Sequence, residues 1–557
     1  MNRAAGVSTP RPSVKWVEGD GRLVTAAVAV VVCGLALRFA VAPQFEGVDD
    51  LGYLEAAQRV SQGRSLEGMF PLFQTRIGMA YPLGWLVQAG WLEPTQFWVL
   101  TLLAECVTFV SLLAAAWLLT DRLWTGVAAV ALYAVYPLAV QQSATFSPTA
   151  LQVASIAAAC ALVAASTRVT STNSRLASGA AAGLCLGLGY LVKEDVAIVV
   201  PAIALAALLT RFPARSTAMA VCAGAAAVFA VECAGYWLTT GDAMFRLTAT
   251  SGLGAPPQDQ LQISQIWQWD AFLRSLFLLP VQVGLLWWLG IPAVWMAFRL
   301  GDVRLKWAAT TFLILAAYLQ FGSGSLTAYS PLPKTPRYTA LVTPLIVLLV
   351  ASGLSQLVAV GRRRLAFATL SAAVAASVPC LLYLHLTSSE RTRNTLAVLP
   401  QLRQAAPQHL YTDYYGARAL RILGPDLPNV SVWYHARFDT NQIVVTPVPE
   451  SSVDTYVLLD RQAAKIYTSS YEMALPSQIA EPPSAWQLVW TNRAYGEGSW
   501  SRTLLESART AATRLPVGNP LRARVNRSVA DLIDGDDAML YRVPGRAVAH
   551  RTAGSGR

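Results

Sequence analysis

Long apolar segments recur along most of the chain and set its fold class. Each is long enough to cross about 30 Å of hydrocarbon, which takes roughly 20 helical residues. They begin near Leu23, Phe97, Leu123, Thr149, Ser178, Asp195, Thr217, Phe272, Trp307, Tyr338 and Leu365. The composition agrees, because 54% of the 557 residues are hydrophobic, only 13% are charged and the mean hydropathy is +0.42. The sequence predicts a mainly α, polytopic membrane helical bundle with about eleven transmembrane helices.

The chain changes character after His385. Charges, Pro, Asn and short alternating segments continue to Arg557 without another apolar run of spanning length. HLYTDYY, NVSVWYH, QIVVTPV and TYVLLDRQ are typical of strands, and GARALRIL is typical of a helix. We therefore predict a small soluble α/β domain at residues 386–545 and a disordered basic tail at residues 546–557. Aromatic residues in strands more often belong to a hydrophobic core than to a sugar-binding surface, so we assign no site to this domain.

Basic residues alternate between the two ends of successive apolar runs in one consistent register. The positive-inside rule assigns to the cytoplasm Arg3, Arg11, Lys15, Arg22, Arg122, Arg168, Arg175, Arg211, Arg215, Arg299, Arg304, Lys306, Arg362, Arg363 and Arg364. This register predicts a cytoplasmic tail at residues 1–22, a transmembrane domain at residues 23–385, a long outer loop at residues 43–95 and an extracytoplasmic C-terminal domain. The net charge of +11 is then partly a topology signal of a multi-pass protein in the inner or plasma membrane, and nucleic acid is a poor candidate partner.

Asp49 and Asp50 form an acidic pair just past the outer end of the first apolar run, and Tyr53 follows at helical spacing. Two neighbouring carboxylates at a lipid boundary repel each other and lose solvation, so a chain that keeps them there commonly uses them as a proton acceptor or a cation ligand. The alternative is a solvated helix cap, since Asp is a favoured N-cap residue. The residues alone leave both interpretations open.

Further charged residues are predicted on the same outer face. Arg76 lies in the first outer loop within an interfacial amphipathic segment, Lys193 and Glu194 interrupt GLGYLVKEDVAIVVP, and Arg337 and Tyr338 open the tenth run. An Arg fork and a Lys ammonium together suit the phosphate of a lipid-linked donor and stabilise the charge on a departing phosphate. For Lys193 and Arg337 the alternative is snorkelling of long side chains at span ends.

Four segments together resemble the GT-C glycosyltransferase superfamily, in particular the bacterial branch similar to protein O-mannosyltransferases and the aminoarabinose transferases of lipid A. They are VDDLGYLEAAQRVSQGR, TRIGMAYPL, GLGYLVKEDVAIVVP and PRYTALVTPLIVLL, in this order within residues 23–385. The resemblance implies a GT-C-like transmembrane catalytic domain. It also implies transfer of a sugar, with inversion, from a polyprenyl-phosphate donor to a glycan, lipid or protein acceptor on the outer side of the bilayer.

The resemblance also implies roles for individual residues. Asp49 matches the first acid of the family's loop motif, the expected general base, and Asp50 matches the second acid. Lys193 matches the lysine after a glycine-containing helix, while Arg337 and Tyr338 match an Arg-Tyr pair; these are expected near the donor phosphate.

Three more residues complete the candidate set. Arg76 matches an Arg of the first outer loop and is a further candidate for the donor phosphate. Tyr53 and Glu194 are candidates for holding or orienting the acceptor.

One departure from the family pattern bears on metal use. Many relatives carry a second acidic motif between spans three and four, where this chain reads QQSATFSPTALQ without a carboxylate. The four His and seven Cys show no ligand spacing either. A divalent cation such as Mg or Mn would have only Asp49 and Asp50 as predicted ligands, so the sequence favours a metal-independent mechanism.

Two other functions stay open at this point. In a transporter or flippase for a lipid-linked or anionic solute, Asp49 and Lys193 would be coupling or binding residues. Transporters place such groups near the bilayer midplane and often contain repeats, whereas here the charges lie at the outer boundary and no repeat is evident. A non-catalytic scaffold with the same fold is the third hypothesis, favoured by the missing second acidic motif.

Overall fold

The fold was derived from a computed structural model. It describes residues 20–41, 49–93, 96–143, 145–250, 274–278, 281–300, 302–323, 332, 336–387, 393–424, 426–427, 429–437, 442–448, 455–461, 463–464, 468, 473–493, 500–514, 516, 518–534 and 537–544. The predicted basic tail at residues 1–22 (apart from its last three residues), the start of the eighth apolar run near Phe272 and the predicted disordered tail at residues 546–557 lie outside the described residues.

Helices form most of the described residues before residue 388. In chain order they are α1 (Asp20–Val41), α2 (Asp49–Ser61), α3 (Pro71–Thr75), α4 (Ile77–Gln88), α5 (Trp98–Thr120), α6 (Leu123–Ala134), α7 (Pro137–Ser143), α8 (Pro148–Ser166), α9 (Thr172–Val192), α10 (Val199–Thr210), α11 (Arg215–Thr240), α12 (Phe245–Thr250), α13 (Leu286–Arg299), α14 (Val303–Phe321), α15 (Thr343–Ala359) and α16 (Arg363–Thr387). Short 3-10 helices at Glu194–Ile198 and Pro336–Leu341 precede α10 and α15.

The long apolar helices are those expected to cross a membrane. Among the described residues, six are long and apolar enough to span it, namely Gly21–Ala40, Trp98–Thr120, Pro148–Ser166, Thr172–Val192, Arg215–Thr240 and Arg363–Leu382. The bent pair α6 and α7 would make a seventh span. Helices at the other predicted positions are too short or too polar to count on length and composition alone. The predicted helical membrane bundle is confirmed, and the number of spans stays a prediction.

Close backbone contact joins α9 to α11. A Cβ on Gly183 would lie 2.1 Å from the carbonyl oxygen of Val221, and one on Gly224 would lie 2.3 Å from that of Ala180. Within a bilayer, where helices gain little from the hydrophobic effect, small residues let backbones approach and increase van der Waals contact. The glycines therefore fix the position of α9, whose end leads into the candidate site.

A buried ion pair holds the bend between α6 and α7, whose axes differ by 65°. Because Pro137 has no N–H, the last carbonyls of α6 lose a regular helical donor. The Arg38 guanidinium of α1 donates to the carbonyls of Tyr133 and Ala134, at 3.1 Å and 3.0 Å. The Arg38 Nε lies 2.7 Å from Glu105 Oε2 of α5. The Glu105 carboxylate therefore neutralises the guanidinium that donates to the carbonyls at the bend.

The predicted first outer loop packs in an apolar cluster on one end of the bundle, which also contains Ala419 and Ile422 from the C-terminal part of the chain. Leu51 and Leu54 of α2 are fully buried in it, together with Leu83 of α4. Trp85 and Trp91 are 59% and 76% exposed at this end of the molecule, as expected for aromatic side chains at a membrane interface. The loop is thus a folded element that carries the acidic pair.

The C-terminal part is an α/β unit with one mixed sheet. Its elements are α17 (Arg393–Ala405), β1 (His409–Asp413), α18 (Tyr414–Leu423), β2 (Val430–Arg437), β3 (Gln442–Val445), β4 (Thr455–Asp460), α19 (Ser477–Ala480), β5 (Gln487–Arg493), α20 (Trp500–Thr513), α21 (Pro520–Asp534) and β6 (Asp537–Val543). The strand order is β3-β2-β1-β4-β6-β5, with β1 parallel to both β2 and β4 and the other pairs antiparallel. Trp433 and Tyr434 are buried, in keeping with a core role. The predicted small α/β domain is confirmed.

Candidate functional site

The acidic pair begins α2. Asp50 is buried, and its Oδ1 accepts a hydrogen bond of 2.9 Å from the Leu51 backbone N–H. Asp49 is partly exposed, and within the described residues it makes no hydrogen bond or salt bridge. The two carboxylates therefore differ, since one is bound to its own helix and the other is accessible.

Arg76 connects α2 with the end of α9. It lies in the break between α3 and α4, where φ of −83° and ψ of 60° turn the chain. Its Nη2 and Nε contact the two carboxylate oxygens of Glu194 at 2.7 Å and 3.2 Å, a two-pronged ion pair. Its Nη1 donates to the hydroxyl oxygen of Tyr53. Tyr53, Arg76 and Glu194, predicted separately from three segments, thus form one contact group.

The charge states in this group follow from burial and pairing. Burial raises the pKa of Tyr53 to about 12, against the opposing effect of Arg76, so the phenol is neutral at pH 7. Burial would raise the pKa of Glu194, but the Arg76 guanidinium overcomes this and lowers it to about 2. Glu194 and Tyr53 in turn raise the pKa of Arg76 against the effect of burial. The Asp49 carboxylate is close enough to contribute to the raised pKa of Tyr53.

Lys193 forms the second contact group, directly before Glu194. Its Nζ lies 3.0 Å from Asp195 Oδ2 and 3.4 Å from Gln152 Oε1, and it sits 4.6 Å from the centroid of the Tyr338 ring. The side chain is only 9% exposed. A snorkelling lysine would extend its ammonium into water. The burial of Lys193 therefore fits a built polar site better than an interfacial anchor.

Arg337 stands on the other side of this group. It lies in the 3-10 helix before α15, is exposed, and has its guanidinium carbon 5.6 Å from the centroid of the Tyr338 ring. In the part of the chain that the structure describes, it forms no salt bridge or hydrogen bond. One aromatic ring thus contacts two cations, of which Lys193 is paired and Arg337 is available to an anion.

The sequence did not identify Gln152 and Asp195 as site residues, although both contact Lys193. Gln152 is fully buried in α8, and its Nε2 has no hydrogen-bond partner among the described residues. Both residues lie in segments that were singled out, QQSATFSPTALQ and GLGYLVKEDVAIVVP. The signal was a polar residue inside an otherwise apolar run.

Arg246 of α12 contacts the backbone next to both contact groups. It is 1% exposed, and its Nε lies 2.8 Å from Glu232 Oε1 of α11. Its guanidinium donates to the carbonyls of Tyr190 and Leu191 at the end of α9.

The same guanidinium also donates to the carbonyl of Thr75. Thr75 directly precedes Arg76, and the α9 carbonyls lie two and three residues before Lys193. Arg246 therefore fixes the backbone that presents both cations. A lone acid such as Glu232 in an apolar run predicts a buried cationic partner, which is the signal that could have found this pair.

The metal-binding capacity of the site is small. The described residues contain no group of three or more His, Cys, Asp or Glu side chains placed to hold a metal ion. Asp49 and Asp50 offer two carboxylates, of which Asp50 already accepts a backbone hydrogen bond. A divalent cation at this pair would need further oxygen ligands, such as water or the phosphate of a donor.

Part of the sequence matches a family model. The model, described as dolichyl-phosphate-mannose-protein mannosyltransferase, matches residues 93–237, which include α5 to α10 and most of α11. No curated protein matches the sequence significantly.

Several solved structures share the fold. Archaeal oligosaccharyltransferase AglB from Archaeoglobus fulgidus, in complex with an inhibitory peptide and a dolichol-phosphate, matches with a TM-score of 0.53 at 10% identity, covering 95% of this chain and 89% of that one. The oligosaccharyltransferase of the same organism with Zn and sulfate has a TM-score of 0.52 at 12% identity, with coverages of 93% and 88%. ArnT from Cupriavidus metallidurans bound to undecaprenyl phosphate has a TM-score of 0.51 at 13% identity, covering 85% and 96%. These matches confirm the predicted GT-C fold.

Proposed function

We propose that this chain, which has the fold of the GT-C membrane glycosyltransferases, transfers a sugar from a polyprenyl-phosphate donor to an extracytoplasmic acceptor with inversion. The observation that carries the proposal is the pair of cations beside the Tyr338 ring, Lys193 and Arg337. Glu194, which follows Lys193 in the chain, holds Arg76 and through it Tyr53, one helical turn after Asp49. Phosphate-binding groups and a carboxylate base are the two requirements of this reaction.

Arg337 and Lys193 bind the donor phosphate. Arg337 is exposed and its guanidinium can contact two phosphate oxygens, while the compact ammonium of Lys193 adds a point charge. Both stabilise the negative charge that grows on the phosphate as its bond to the sugar breaks. Since Asp195 already pairs with Lys193, the ammonium is held in place before the donor arrives.

Asp49 is the general base. It accepts the proton of the acceptor hydroxyl while that oxygen attacks the anomeric carbon and the lipid phosphate leaves from the opposite face, which inverts the sugar. Its accessibility favours it over Asp50, whose carboxylate is buried against the start of α2. Asp50 instead stabilises the helix that carries the base.

Arg76 has a different role from the phosphate role implied by the family resemblance. Its guanidinium is engaged by Glu194 and by the Tyr53 hydroxyl, which leaves little of it for a phosphate. Arg76 and Glu194 together keep Tyr53 beside Asp49, where the neutral phenol can contact the acceptor. Tyr53 and Glu194 thus serve acceptor positioning.

The neighbours support a lipid-linked donor. ArnT was solved with undecaprenyl phosphate and AglB with a dolichol-phosphate, and the Archaeoglobus oligosaccharyltransferase was solved with a tethered acceptor peptide. We extend the donor class to this chain. The acceptor is a glycan, lipid or protein reached from the outer side of the inner or plasma membrane, where the positive-inside register puts the acidic pair.

The decisive experiment compares binding and transfer in lipid nanodiscs. Undecaprenyl phosphate should stabilise the wild type against heat, and Lys193→Ala or Arg337→Ala should weaken that binding by about 1.5 to 3 kcal/mol, the range of a charged hydrogen bond. Arg363→Ala is the matched control, since Arg363 also lies over an aromatic ring, Phe367, at the predicted cytoplasmic end. A panel of polyprenyl-phosphate sugars then tests transfer.

The outcomes separate an enzyme from a flippase and test the role of the two cations. Sugar release or transfer that Lys193→Ala and Arg337→Ala abolish supports the enzyme. Movement of the lipid between leaflets without cleavage of the sugar bond would identify a flippase. Unchanged binding in both Ala variants would return these two residues to a snorkelling role.

The mechanism uses no metal ion. We expect transfer to continue in excess EDTA, because Arg337 and Lys193 neutralise the negative charge of the donor phosphate. The measurement is the transfer rate after chelation and dialysis. Loss of activity that Mg²⁺ or Mn²⁺ restores would contradict the mechanism.

A further inference from the structure

The C-terminal domain touches the helix that bears the acidic pair. Arg418 on α18 reaches Glu55 on α2, with Nη2 at 2.8 Å and Nε at 3.2 Å from Glu55 Oε2. Glu55 also lies 3.6 Å from Arg59 one turn further along α2. Two residues that are 363 positions apart therefore tie a soluble domain to the first outer loop.

The Arg418 guanidinium also reaches toward the candidate site through aromatic rings. Its carbon lies 5.4 Å from the centroid of the Phe73 ring. Phe73 in turn meets Tyr53 edge-on, with centroids 5.1 Å apart and an interplanar angle of 90°. The ring rests on Gly52, where any Cβ would approach it to 2.1 Å. Arg418 is thus connected through Phe73 to Tyr53, which accepts the hydrogen bond from Arg76.

Apolar packing completes the interface. Ala419 and Ile422 of α18 are buried in the same cluster as Leu51 and Leu54 of α2. A partly exposed ion pair alone contributes little to stability. At the edge of a shared apolar cluster, which supplies most of the stabilisation, the ion pair sets how α18 is oriented on α2.

α18 is itself firmly placed. Asp413, the last residue of the central strand β1, accepts hydrogen bonds from the backbone N–H groups of Tyr415 and Gly416 and so caps the helix. Because β1 pairs with strands on both sides, the position of α18 follows the position of the whole sheet. A shift of the C-terminal domain would be transmitted to α2.

We infer that the C-terminal domain holds α2 in its working orientation, with Arg418 as a positioning residue for Asp49 and Tyr53. The role for catalysis rests on the proposed function, in which Asp49 is the base. Among the described residues Arg418 contacts neither the donor phosphate site nor the acidic pair, so it acts through Glu55 and Phe73. The domain is thereby a part of the transfer machinery and not an appended module.

Hydrogen–deuterium exchange of the full-length protein in nanodiscs tests the contact without any ligand. Arg418→Ala should speed exchange of residues 49–61 by about three- to tenfold, because it removes the stabilisation from a partly exposed ion pair and from a cation–π contact. Glu55→Gln should do the same from the opposite partner, and the double variant should add little. Arg418→Lys should fall between, since charge remains but the fork is lost.

Arg403→Ala is the matched control. Arg403 forms an ion pair of the same chemistry with Asp426, at 2.9 Å, inside the C-terminal domain. It should leave exchange of residues 49–61 unchanged. Equal exchange in Arg418→Ala and Arg403→Ala would overturn the inference, as would a loss of protection in β1 as large as that in α2.

A second readout separates this inference from the proposed function. In Arg418→Ala the rate of sugar transfer from a polyprenyl-phosphate donor should fall by about the same factor by which the exchange rate of residues 49–61 rises. The affinity for undecaprenyl phosphate should stay at the wild-type value. A looser α2 with wild-type transfer would overturn the positioning role and leave the proposed function standing. If the wild type transferred no sugar, the proposed function would fail, and the exchange comparison would still decide whether Arg418 holds α2.

Discussion

At the scale of single residues, the two neighbouring acids give the sharpest test. Asp49→Asn should lower the transfer rate by about 10²- to 10⁴-fold, because the amide keeps the shape of the carboxylate but accepts no proton. Expression and undecaprenyl phosphate binding should stay normal. Asp50→Asn should cost less activity, since Asp50 bonds the backbone of its own helix. Steady-state rates of both variants decide the assignment, which moves to Asp50 if the two effects are reversed.

The Arg76–Glu194 pair predicts a pH-dependent stability. The pKa of Glu194 is lowered to about 2, so its ionised form is stabilised in the folded state relative to the unfolded chain. The contribution is fully present above pH 4.5, the ordinary value for Glu, and is lost as the pH falls toward 2. The melting temperature of the wild type should therefore exceed that of Glu194→Gln at pH 7, and the gap should narrow between pH 4.5 and 2. A gap that is constant over this range would contradict the pairing.

Sequence reasoning found the residues whose chemistry is unusual for their position. Lys193 and Glu194 interrupt an apolar run, and Asp49 with Asp50 follows another, so each is visible without a structure. The sequence does not show which acidic residue pairs with which basic residue. The Arg76 side chain is predicted as a phosphate ligand, but in the fold it meets Glu194, 118 positions away. Pairings of that length depend on how helices pack, which periodicity does not encode.

At the scale of elements, the buried pair under the bend of α6 and α7 carries a stability prediction. Arg38→Met should lower the free energy of unfolding by about 3 to 5 kcal/mol, because Glu105 would keep a buried charge without its cation. Arg38→Met combined with Glu105→Leu should cost clearly less. Unfolding in detergent measures both. A double variant no more stable than the single one would show that the charge pair does not act as a unit.

The same element shows the limit of apolar periodicity. Residues 123–143 form a continuous apolar run, which predicts one straight span, but the structure has two helices at 65°. The local signal was Pro137, whose ring removes a hydrogen bond and disfavours a helical conformation in the preceding residue. Whether such a proline kinks a helix or breaks it depends on a donor for the freed carbonyls. Here that donor is Arg38, which lies on another helix.

At the scale of the whole molecule, charges gather at both ends of the bundle. At the end opposite the candidate site, Arg168 and Arg304 both pair with Asp121, so three connections between helices meet there. These are loops that the positive-inside rule assigns to the cytoplasm. The site, the acidic helix and the C-terminal domain meet at the other end, through Lys193, Arg76 and Arg418. The fold and the charge register thus agree on which segments share an end.

That agreement leads to a prediction of sidedness. In a variant whose seven Cys are replaced, single Cys reporters at the exposed positions Glu93 and Ser477 should react with a membrane-impermeant maleimide added outside intact cells. A reporter at Asn173, which is exposed at the start of α9, should react only after the cells are opened, because positively charged loops are retained in the cytoplasm. Labelling of Asn173 from outside would invert the topology. Labelling of Glu93 and Ser477 from opposite sides would separate the C-terminal domain from the acidic helix, which the 2.8 Å contact between Arg418 and Glu55 requires to be on one side.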